Sequence, residues 1–572
     1  MTEARPEGVL PSNIRPSVSA DLASLFLRGQ RRWTVLALLL LGLVVRVPGV
    51  YWGSNFPIDG MGLHHPDELT QWVLAKNMLR RAETAATLPL YPRGTAAPVA
   101  VAVAAFHAVT KATPSRESII RAGRALSVVY GAMTVLVVLL LGHRFLAQWS
   151  SVVAAGVATA LGGLHVTQSH FFVADAPTIF WFTLGLYLLR LHLDDESGAE
   201  VEHFQWSAFA FGVAFGAKLH VVGLASLGCA ALLPGPRPKR VAGAAVFFGA
   251  GFAFVTAFTY SPLEIRETLL HGVNAPMLVD RVSGALVYVT ELAGVFGLPV
   301  VLLAVVGAVA FARRSALLFR GSQHRVAAAL TVWLPVAVAV YVILFRLDPF
   351  PRHLLTLLPW FALFAGAGFS LVQGRVRRFG APPWVLPVLA TTWLALLVID
   401  AERNFVTDPR NRAAAWLLAN VPRGTVTYWP HHLLPSYPHA NFSNGATPEV
   451  IVMDMLFAND YLSGQGWRNS MPTDYRRVFG GHNQARLERV QSLFRGTSGY
   501  REMARFTEGY FMPELRLPLR LVGDRSRSYL TEVIIFKRDS AAIGASEASR
   551  RPDSASVAAP VGAAPRSGTP PQ

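Results

Sequence analysis

A short stretch after the first apolar run brings two adjacent carboxylates next to a proline, in His64-His65-Pro66-Asp67-Glu68. Pro66 suits the first position of a helix, so Asp67 and Glu68 would lie in the first turn, where the helix dipole stabilises anions. Acids are ordinary at such a position. Two carboxylates at a membrane face can also act as a general base or as metal ligands. The spacing leaves both interpretations open, and the histidines add only a weak metal signal.

A second acid lies at the head of another apolar run, in Ala174-Asp175-Ala-Pro177. An unpaired aspartate deep in a membrane costs about 3 kcal/mol on insertion scales, and less near the interface. Asp175 could be a simple helix cap, but the aromatic residues around it make the site apolar and favour a function. Upstream, His165 and His170 are interpreted as interfacial anchors.

Cations form the third group: Lys218 and His220 lie between two apolar runs, and Arg346, Arg352 and His353 precede a later one. If these positions face outwards, they run against the rule that positive loops stay inside. Such side chains either snorkel to lipid headgroups or bind an anionic ligand, and a phosphate is the sharper interpretation.

Membrane helices must position these residues. Of the 572 residues, 52% are hydrophobic and only 15% are charged, whereas soluble domains carry about 25% charge. The apolar residues cluster in runs of about 18 to 25, the length of a transmembrane helix. Cys229 is the single cysteine, which excludes an intrachain disulfide and a cysteine-based metal site. The net charge of +17 is explained by arginines in cytoplasmic loops better than by nucleic-acid binding.

About eleven spans are predicted from these runs. They lie near 33–50, 121–143, 149–168, 171–191, 204–219, 220–234, 241–260, 284–312, 325–345, 353–373 and 383–400. Residues 95–110 are too short for a span and indicate a re-entrant or interfacial helix.

Charge sets the expected topology. If the spans alternate, the arginine-rich loops fall on one side, which the positive-inside rule makes cytoplasmic. The loop 51–120 and the region after 400 are then outside. The first run could belong to a cleaved signal peptide, but its long polar leader and the lack of a clear cleavage site favour a signal anchor.

Four regions follow. Residues 1–32 form a cytoplasmic N-terminal segment, and 33–400 form the membrane domain. Residues 401–540 change to alternating and helical patterns typical of a small soluble α/β domain, with strands expected near 425–429, 515–522 and 529–537. Residues 541–572 are rich in Ala, Ser, Pro and Gly, which predicts a disordered tail.

Several short motifs resemble the GT-C glycosyltransferases. They are His65-Pro66-Asp67-Glu68, Ala174-Asp175-Ala-Pro177, Ala217-Lys218, Pro351-Arg352-His353-Leu-Leu-Thr-Leu-Leu-Pro359 and Asp408-x-Arg410…Trp416…Asn420-Val-Pro-x-Gly424. The most similar members are the phospholipid-carrier-dependent type, which includes protein O-mannosyltransferases and the aminoarabinose transferase of lipid A. The resemblance covers about residues 33–430 and implies an all-α polytopic GT-C-like membrane fold with a small C-terminal α/β domain.

The resemblance also implies a polyprenyl-phosphate sugar donor and an active site on the periplasmic face of a bacterial inner membrane. Asp67 or Glu68 would activate the acceptor, and Asp175 would be the second catalytic acid. Lys218 and Arg352 would hold the donor phosphate, although His353 stands where such proteins often have tyrosine. The remaining substrate-binding candidates are Asp59, His65, His220, Arg346 and His353.

The sequence leaves other classes open. A transporter or flippase for lipid-linked sugars is one alternative, although no internal repeat is visible. A polymer-assembly subunit is another, in which residues 401–540 would be the working part. The sugar, the acceptor and a requirement for a divalent cation are not determined by the sequence.

Overall fold

The computed structural model describes part of the chain. The described residues are 17–27, 29–52, 65–79, 94–194, 201–218, 237–256, 288–289, 292–318, 334–345, 351–422, 425, 427–428, 448–454, 488, 491–507 and 532–539. Three candidate residues, Asp59, His220 and Arg346, lie outside them, as do the predicted span 220–234, the predicted strand 515–522 and the predicted tail.

The described part of the membrane domain is helical. Its helices are α1 (Val18–Phe26), α2 (Gly29–Val44), α3 (Pro48–Tyr51), α4 (Pro66–Leu79), α5 (Ala96–Thr110), α6 (Arg116–Phe145), α7 (Trp149–Ala160), α8 (Gly163–Gln168), α9 (Asp175–Asp194), α10 (Val201–Ala217), α11 (Arg237–Thr256), α12 (Leu298–Leu318), α13 (Leu334–Phe345), a 3-10 helix (Pro351–Leu357), α14 (Leu358–Arg378) and α15 (Val385–Val406).

Five helices among the described residues are long and apolar enough to cross a membrane. They are Gly29–Tyr51, Arg116–Phe145, Pro238–Thr256, Arg352–Arg378 and Val385–Arg403. The predicted class, a polytopic helical membrane protein with a small α/β domain, is confirmed. The count of about eleven spans stays a prediction, because several of the predicted runs are partly or wholly outside the described residues.

Local sequence rules explain where the site-bearing helices begin. At α6, the hydroxyl of Ser115 accepts a hydrogen bond from the Ser118 N–H at 3.1 Å, the usual N-cap contact. The proline at position 66 opens α4 and Asp175 opens α9, both as the sequence predicts. The predicted span 149–168 is instead divided into α7 and α8, with the break at Leu161–Gly162.

One end of the helix bundle holds a charged cluster. The buried Asp21 carboxylate of α1 accepts hydrogen bonds from Arg144 Nε and from the Tyr187 hydroxyl, each at 2.7 Å. Arg144 lies at the end of α6. Arg124, a residue of the candidate site, lies about 30 Å back along the same helix at 1.5 Å of rise per residue. This separation equals the thickness of a bilayer core, about 30 Å, so the two charged regions lie at opposite ends of the bundle.

The first span contains a fully buried arginine, Arg46. Its guanidinium donates to the carbonyl oxygens of Gly42 at 2.8 Å, Ala160 at 2.9 Å and Thr159 at 3.2 Å. It also lies 2.9 Å from His165 Nδ1. Backbone carbonyls therefore solvate this cation, with help from a residue of α8.

Helices α12 and α14 approach closely through glycines. A Cβ added at Gly368 would overlap the carbonyl oxygen of Leu303, and one at Gly307 would overlap that of Phe364. Small residues at such contacts let helix backbones meet, which is a common way to pack helices in membranes.

This packing gives a stability prediction. Gly368→Ala is expected to destabilise the protein by about 1–3 kcal/mol, because the opposing atoms are backbone and cannot move aside cheaply. Gly374→Ala on the same helix is the matched control, since a Cβ there meets nothing within 4 Å. The control is expected to be neutral or slightly stabilising. Thermal unfolding of both variants in detergent checks this, and equal melting temperatures would contradict the close contact.

The described part of the C-terminal domain contains a small sheet and the helix α16 (Pro409–Asn420). The strands are β1 (Thr427–Tyr428), β2 (Val450–Asp454), β3 (Tyr500–Phe506) and β4 (Val533–Arg538), in the order β1-β2-β4-β3. The first pair is parallel and the other two are antiparallel. One face of α16, with Ala413, Ala414 and Leu417, packs on the sheet.

Candidate active site

Asp67, at the start of α4, forms an ion pair with an arginine that is distant in the sequence. Its Oδ2 accepts a hydrogen bond from Nη1 of Arg352 at 2.9 Å, and each side chain is 16% exposed. Arg352 comes from the 3-10 helix before α14. The first acidic motif and the Pro-Arg-His motif, far apart in sequence, therefore meet in one ion pair that a ligand can reach.

His65 lies beneath this pair and is fully buried. Its Nδ1 accepts a hydrogen bond from the Asp67 backbone N–H at 3.1 Å, while its Nε2 lies 3.2 Å from Arg352 Nη1. Its ring contacts Phe171, with centroids 4.8 Å apart. A neutral imidazole has only one acceptor nitrogen, but each of the two ring nitrogens of His65 faces a donor. The contact of Arg352 with His65 is thus weaker than its contact with Asp67.

Burial lowers the pKa of His65 from 6.5 to about 4, against the opposing effect of the Asp67, Glu68 and Asp175 carboxylates. His65 is therefore neutral near pH 7. Phe171, four residues before Asp175, contacts the His65 ring, so the segment that leads to Asp175 lies beside the first ion pair.

Asp175 forms the second ion pair. Its Oδ1 accepts a hydrogen bond from Lys218 Nζ; the Asp175 side chain is 5% exposed and that of Lys218 is 18% exposed. Lys218 directly follows the last residue of α10. The acid and the lysine that the sequence singled out separately are therefore direct partners.

Glu68 has a different environment from Asp67. Its two oxygens accept from Nε and Nη2 of Arg124 at 2.7 and 2.8 Å, and both side chains are fully buried. One oxygen also accepts from the Phe172 N–H at 2.9 Å. Burial would raise the pKa of Glu68, but Arg124 and the Phe172 amide outweigh it and hold that pKa below its usual range. This carboxylate is charged and enclosed.

His353 follows Arg352 and points to a tyrosine. Its Nδ1 lies 2.9 Å from the Tyr288 hydroxyl, and both residues are buried. The sequence analysis noted that His353 stands where similar proteins often have tyrosine, but it did not identify Tyr288. This tyrosine comes from another part of the chain and brings its hydroxyl to His353.

Two histidines differ from their interpretation as interfacial anchors. His165 and His170 are both fully buried. His165 contacts Arg46, and His170 Nε2 lies 3.0 Å from Glu402 Oε1. The reason is that α8, which carries His165, and the segment after it, which carries His170, pack inside the protein, where the two rings contact Arg46 and Glu402.

Within the described residues, no group of three or more His, Cys, Asp or Glu side chains could hold a metal ion. The two ion pairs bring an ammonium, from Lys218, and a guanidinium, from Arg352, to partly exposed positions.

No family model matches the chain, and no curated protein matches it. Solved structures do. The apo oligosaccharyltransferase of Archaeoglobus fulgidus has a TM-score of 0.48 and 13% identity, covering 74% of this chain and 62% of that one. The chain thus spans less than two thirds of that protein.

A second structure of this oligosaccharyltransferase, AglB in complex with an inhibitory peptide and a dolichol-phosphate, has a TM-score of 0.43 and 13% identity over 74% of this chain and 62% of that one. ArnT from Cupriavidus metallidurans bound to undecaprenyl phosphate has a TM-score of 0.42 and 13% identity over 69% of this chain and 74% of that one. The structures that the chain is similar to are thus those of an oligosaccharyltransferase and of ArnT, each at 13% identity.

Proposed function

We propose that this chain is an integral membrane glycosyltransferase. It transfers a sugar from a polyprenyl-phosphate carrier to an acceptor, with inversion, on the periplasmic face of a bacterial inner membrane. The observation that carries the proposal is the pair of ion pairs, Asp67–Arg352 and Asp175–Lys218, each of which joins an acid to a cation from a distant part of the chain.

The two pairs supply the groups that this reaction requires. A carboxylate that acts as general base must be partly exposed so that the acceptor can reach it, and Asp67 is 16% exposed. The leaving phosphate must meet fixed positive charges, and Arg352 and Lys218 supply them from two different elements. A site at the end of a membrane helix bundle also lies beside the bilayer that holds the lipid tail of the donor.

The reaction then runs as one displacement. Asp67 takes the proton of the acceptor hydroxyl or amine, and the acceptor atom attacks the anomeric carbon of the sugar. The bond from that carbon to the bridging phosphate oxygen breaks, and its electron pair stays on the phosphate. Arg352 and Lys218 stabilise this charge as it grows, which is the differential binding that lowers a barrier.

The remaining residues prepare these groups. Asp175 holds Lys218, and neutral His65 supports the start of α4 through its contact with the Asp67 amide. Glu68, enclosed by Arg124, takes the role of fixing α4 to α6. Of the two adjacent acids, we therefore assign the base to Asp67.

Binding of the donor requires Arg352 and Lys218 to exchange their carboxylate partners for the donor phosphate. Both cations bind carboxylates in the structure, so a donor phosphate must compete with Asp67 for Arg352 and with Asp175 for Lys218. Loss of its arginine partner makes Asp67 a stronger base. We therefore propose that the donor binds before the acceptor is activated.

The function is tested by incubating membranes that contain the full chain with a panel of polyprenyl-phosphate sugars, with and without a divalent cation. Consumption of one donor and labelling of an acceptor supports the proposal. Movement of intact lipid-linked sugar across the membrane without cleavage would instead support the flippase alternative and overturn the enzyme.

The cations give a second prediction. Lys218→Ala and Arg352→Ala are expected to lower turnover by about 10²-fold and to raise the donor KM, because the phosphate charge grows in the transition state. Arg352→Lys is expected to rescue only part of this loss, since a point charge cannot replace a planar fork. Turnover and donor KM of the three variants measure it.

Arg121→Lys is the control for that series, because Arg121 forms an exposed pair with Glu117 on α6. It is expected to keep normal turnover. Unchanged turnover in both alanine variants would remove the phosphate site from the proposal.

A further inference from the structure

The junction between the last membrane helix and the C-terminal domain reaches into the neighbourhood of the candidate site. Helix α15 ends at Val406, and α16 begins at Pro409. Two side chains of this junction, Glu402 and Arg410, contact residues that lie beside the acids described above. Neither side chain takes part in the proposed transfer reaction.

Glu402 lies against His170. Its Oε1 is 3.0 Å from His170 Nε2, whose hydrogen bond goes to the carbonyl oxygen of Val45 at 3.1 Å. The imidazole fits against Gly49, where any Cβ would overlap the ring. His170 is therefore fixed on three sides, and the last membrane helix supplies one of them.

Arg410 rests on Trp52. Its guanidinium carbon is 5.8 Å from the centroid of the indole ring, within the range of a cation–π contact. Asp408 accepts from Nε and Nη2 of Arg410 at 3.0 and 2.7 Å, which fixes the guanidinium plane. The same indole lies 5.9 Å from the guanidinium of Arg124. The C-terminal domain thus contacts the residue that borders the Glu68–Arg124 pair.

Residues 169–174 lie between these two contacts. We name them the Asp175 segment because they lead directly into Asp175. Phe171 of this segment packs between Trp52, at 5.1 Å, and His65, at 4.8 Å. The next amide donates to Glu68. The segment therefore links the junction to both ion pairs of the site.

Asp408 caps α16, since its Oδ1 accepts a hydrogen bond from the Arg410 backbone N–H at 2.8 Å, and this cap explains the aspartate but not the burial of the Arg410 guanidinium. The domain packs its helix on its sheet through alanine and leucine side chains, whereas Asp408 and Arg410 are 0% and 1% exposed outside that core. A buried ion pair adds little net stability. It does give a fixed geometry, which is what the contact with Trp52 requires.

We propose that Glu402 and Arg410 are positioning residues of the transferase. They fix the Asp175 segment from two sides, through His170 and Trp52, and so hold the Asp175–Lys218 pair and the Phe171–His65 contact in register. The C-terminal domain then takes part in catalysis although it contributes none of the reacting groups. This inference rests on the proposed function.

The test compares Arg410→Lys and Glu402→Gln with two controls, Arg412→Lys and Glu502→Gln, in the full chain. Arg412 lies two residues further along α16 and contacts Thr507 and Phe506 within the C-terminal domain. Glu502 pairs with Arg505 on the exposed strand β3. Each control thus changes the same chemical group without touching the Asp175 segment, and Arg412 lies on the same helix as Arg410.

Turnover in the two test variants is expected to fall about tenfold, the scale of a small misplacement of reacting groups. The donor KM is expected to change by less than about threefold, because Lys218 and Arg352 remain. Amide hydrogen exchange without donor is expected to show faster exchange in residues 169–174 and unchanged exchange in α6. Trp52→Phe combined with Arg410→Lys is expected to lose no more turnover than the worse single variant.

Normal turnover and normal exchange in both test variants would overturn the positioning role, and so would equal losses in the Arg412→Lys control. If the wild-type chain consumes none of the donors, the proposed function fails instead. The exchange measurement needs no substrate, so it still decides whether the junction fixes the Asp175 segment.

Discussion

Replacing Asp67 with asparagine is expected to abolish transfer and to leave the protein folded. The amide keeps the size of the side chain and can still accept from Arg352, but it cannot take the acceptor proton. Loss of a general base costs about 10²- to 10⁴-fold in rate. A first-turn acid contributes only about 0.3–1 kcal/mol to stability. Turnover with the preferred donor and the melting temperature are the two measurements.

Glu117→Gln is the matched control for Asp67→Asn. Glu117 is also an acid in the first turn of a helix with an arginine partner, but it is 45% exposed and lies away from the ion pairs of the site. It is expected to keep full turnover. Near-normal turnover in Asp67→Asn would show that the base is another residue.

Glu68→Gln is expected to damage the fold rather than the chemistry. Arg124 would keep its charge in a fully buried place and lose its carboxylate. Breaking a buried pair in this way costs about 3–5 kcal/mol. The expected result is a large fall in melting temperature and in the yield of folded protein, measured by fluorescence-detected size-exclusion chromatography.

A double variant separates this effect from catalysis. Glu68→Met with Arg124→Met removes both charges, and stability is expected to recover in large part, since replacing a complete buried pair by apolar residues is often neutral. If Glu68→Gln were as stable as wild type but inactive, Glu68 would be the base and the assignment to Asp67 would be wrong.

The starts of the helices could be predicted because they depend on local rules. Pro66 and Asp175 mark α4 and α9 by residue type and position, and the structure begins both helices there. The α/β character of the C-terminal domain followed from alternation, which the strand Val533–Arg538 confirms.

The difference between the two adjacent acids could not be predicted. Neighbouring residues on a helix point about 100° apart, so Asp67 and Glu68 meet different partners. The packing of the helices decides which partner each acid meets. Arg124 lies near the start of an apolar run, and no local pattern says that it reaches back to α4. Contacts of this kind depend on the three-dimensional arrangement of several helices.

Some signals were present and overlooked. Arg46 lies inside the first apolar run, and an ionisable residue in a span is a functional or structural candidate by the same rule that singled out Asp175. Glu402, at the end of the last run, is a similar case. A search for every charge within or at the end of an apolar run would have found both.

The buried Arg46 has a consequence for how the protein is made. Two of the carbonyls that solvate its guanidinium belong to residues near the end of α7, and one of them, that of Ala160, lies 114 residues further along the chain. At about 5–20 residues per second, the ribosome takes on the order of ten seconds to deliver them. Until then the first span carries a charge that lacks its protein partners and is costly to place in the hydrocarbon core. The nascent helix must therefore stay beside the translocon or at the headgroups, and its final depth in the membrane is set only when the α7–α8 region arrives.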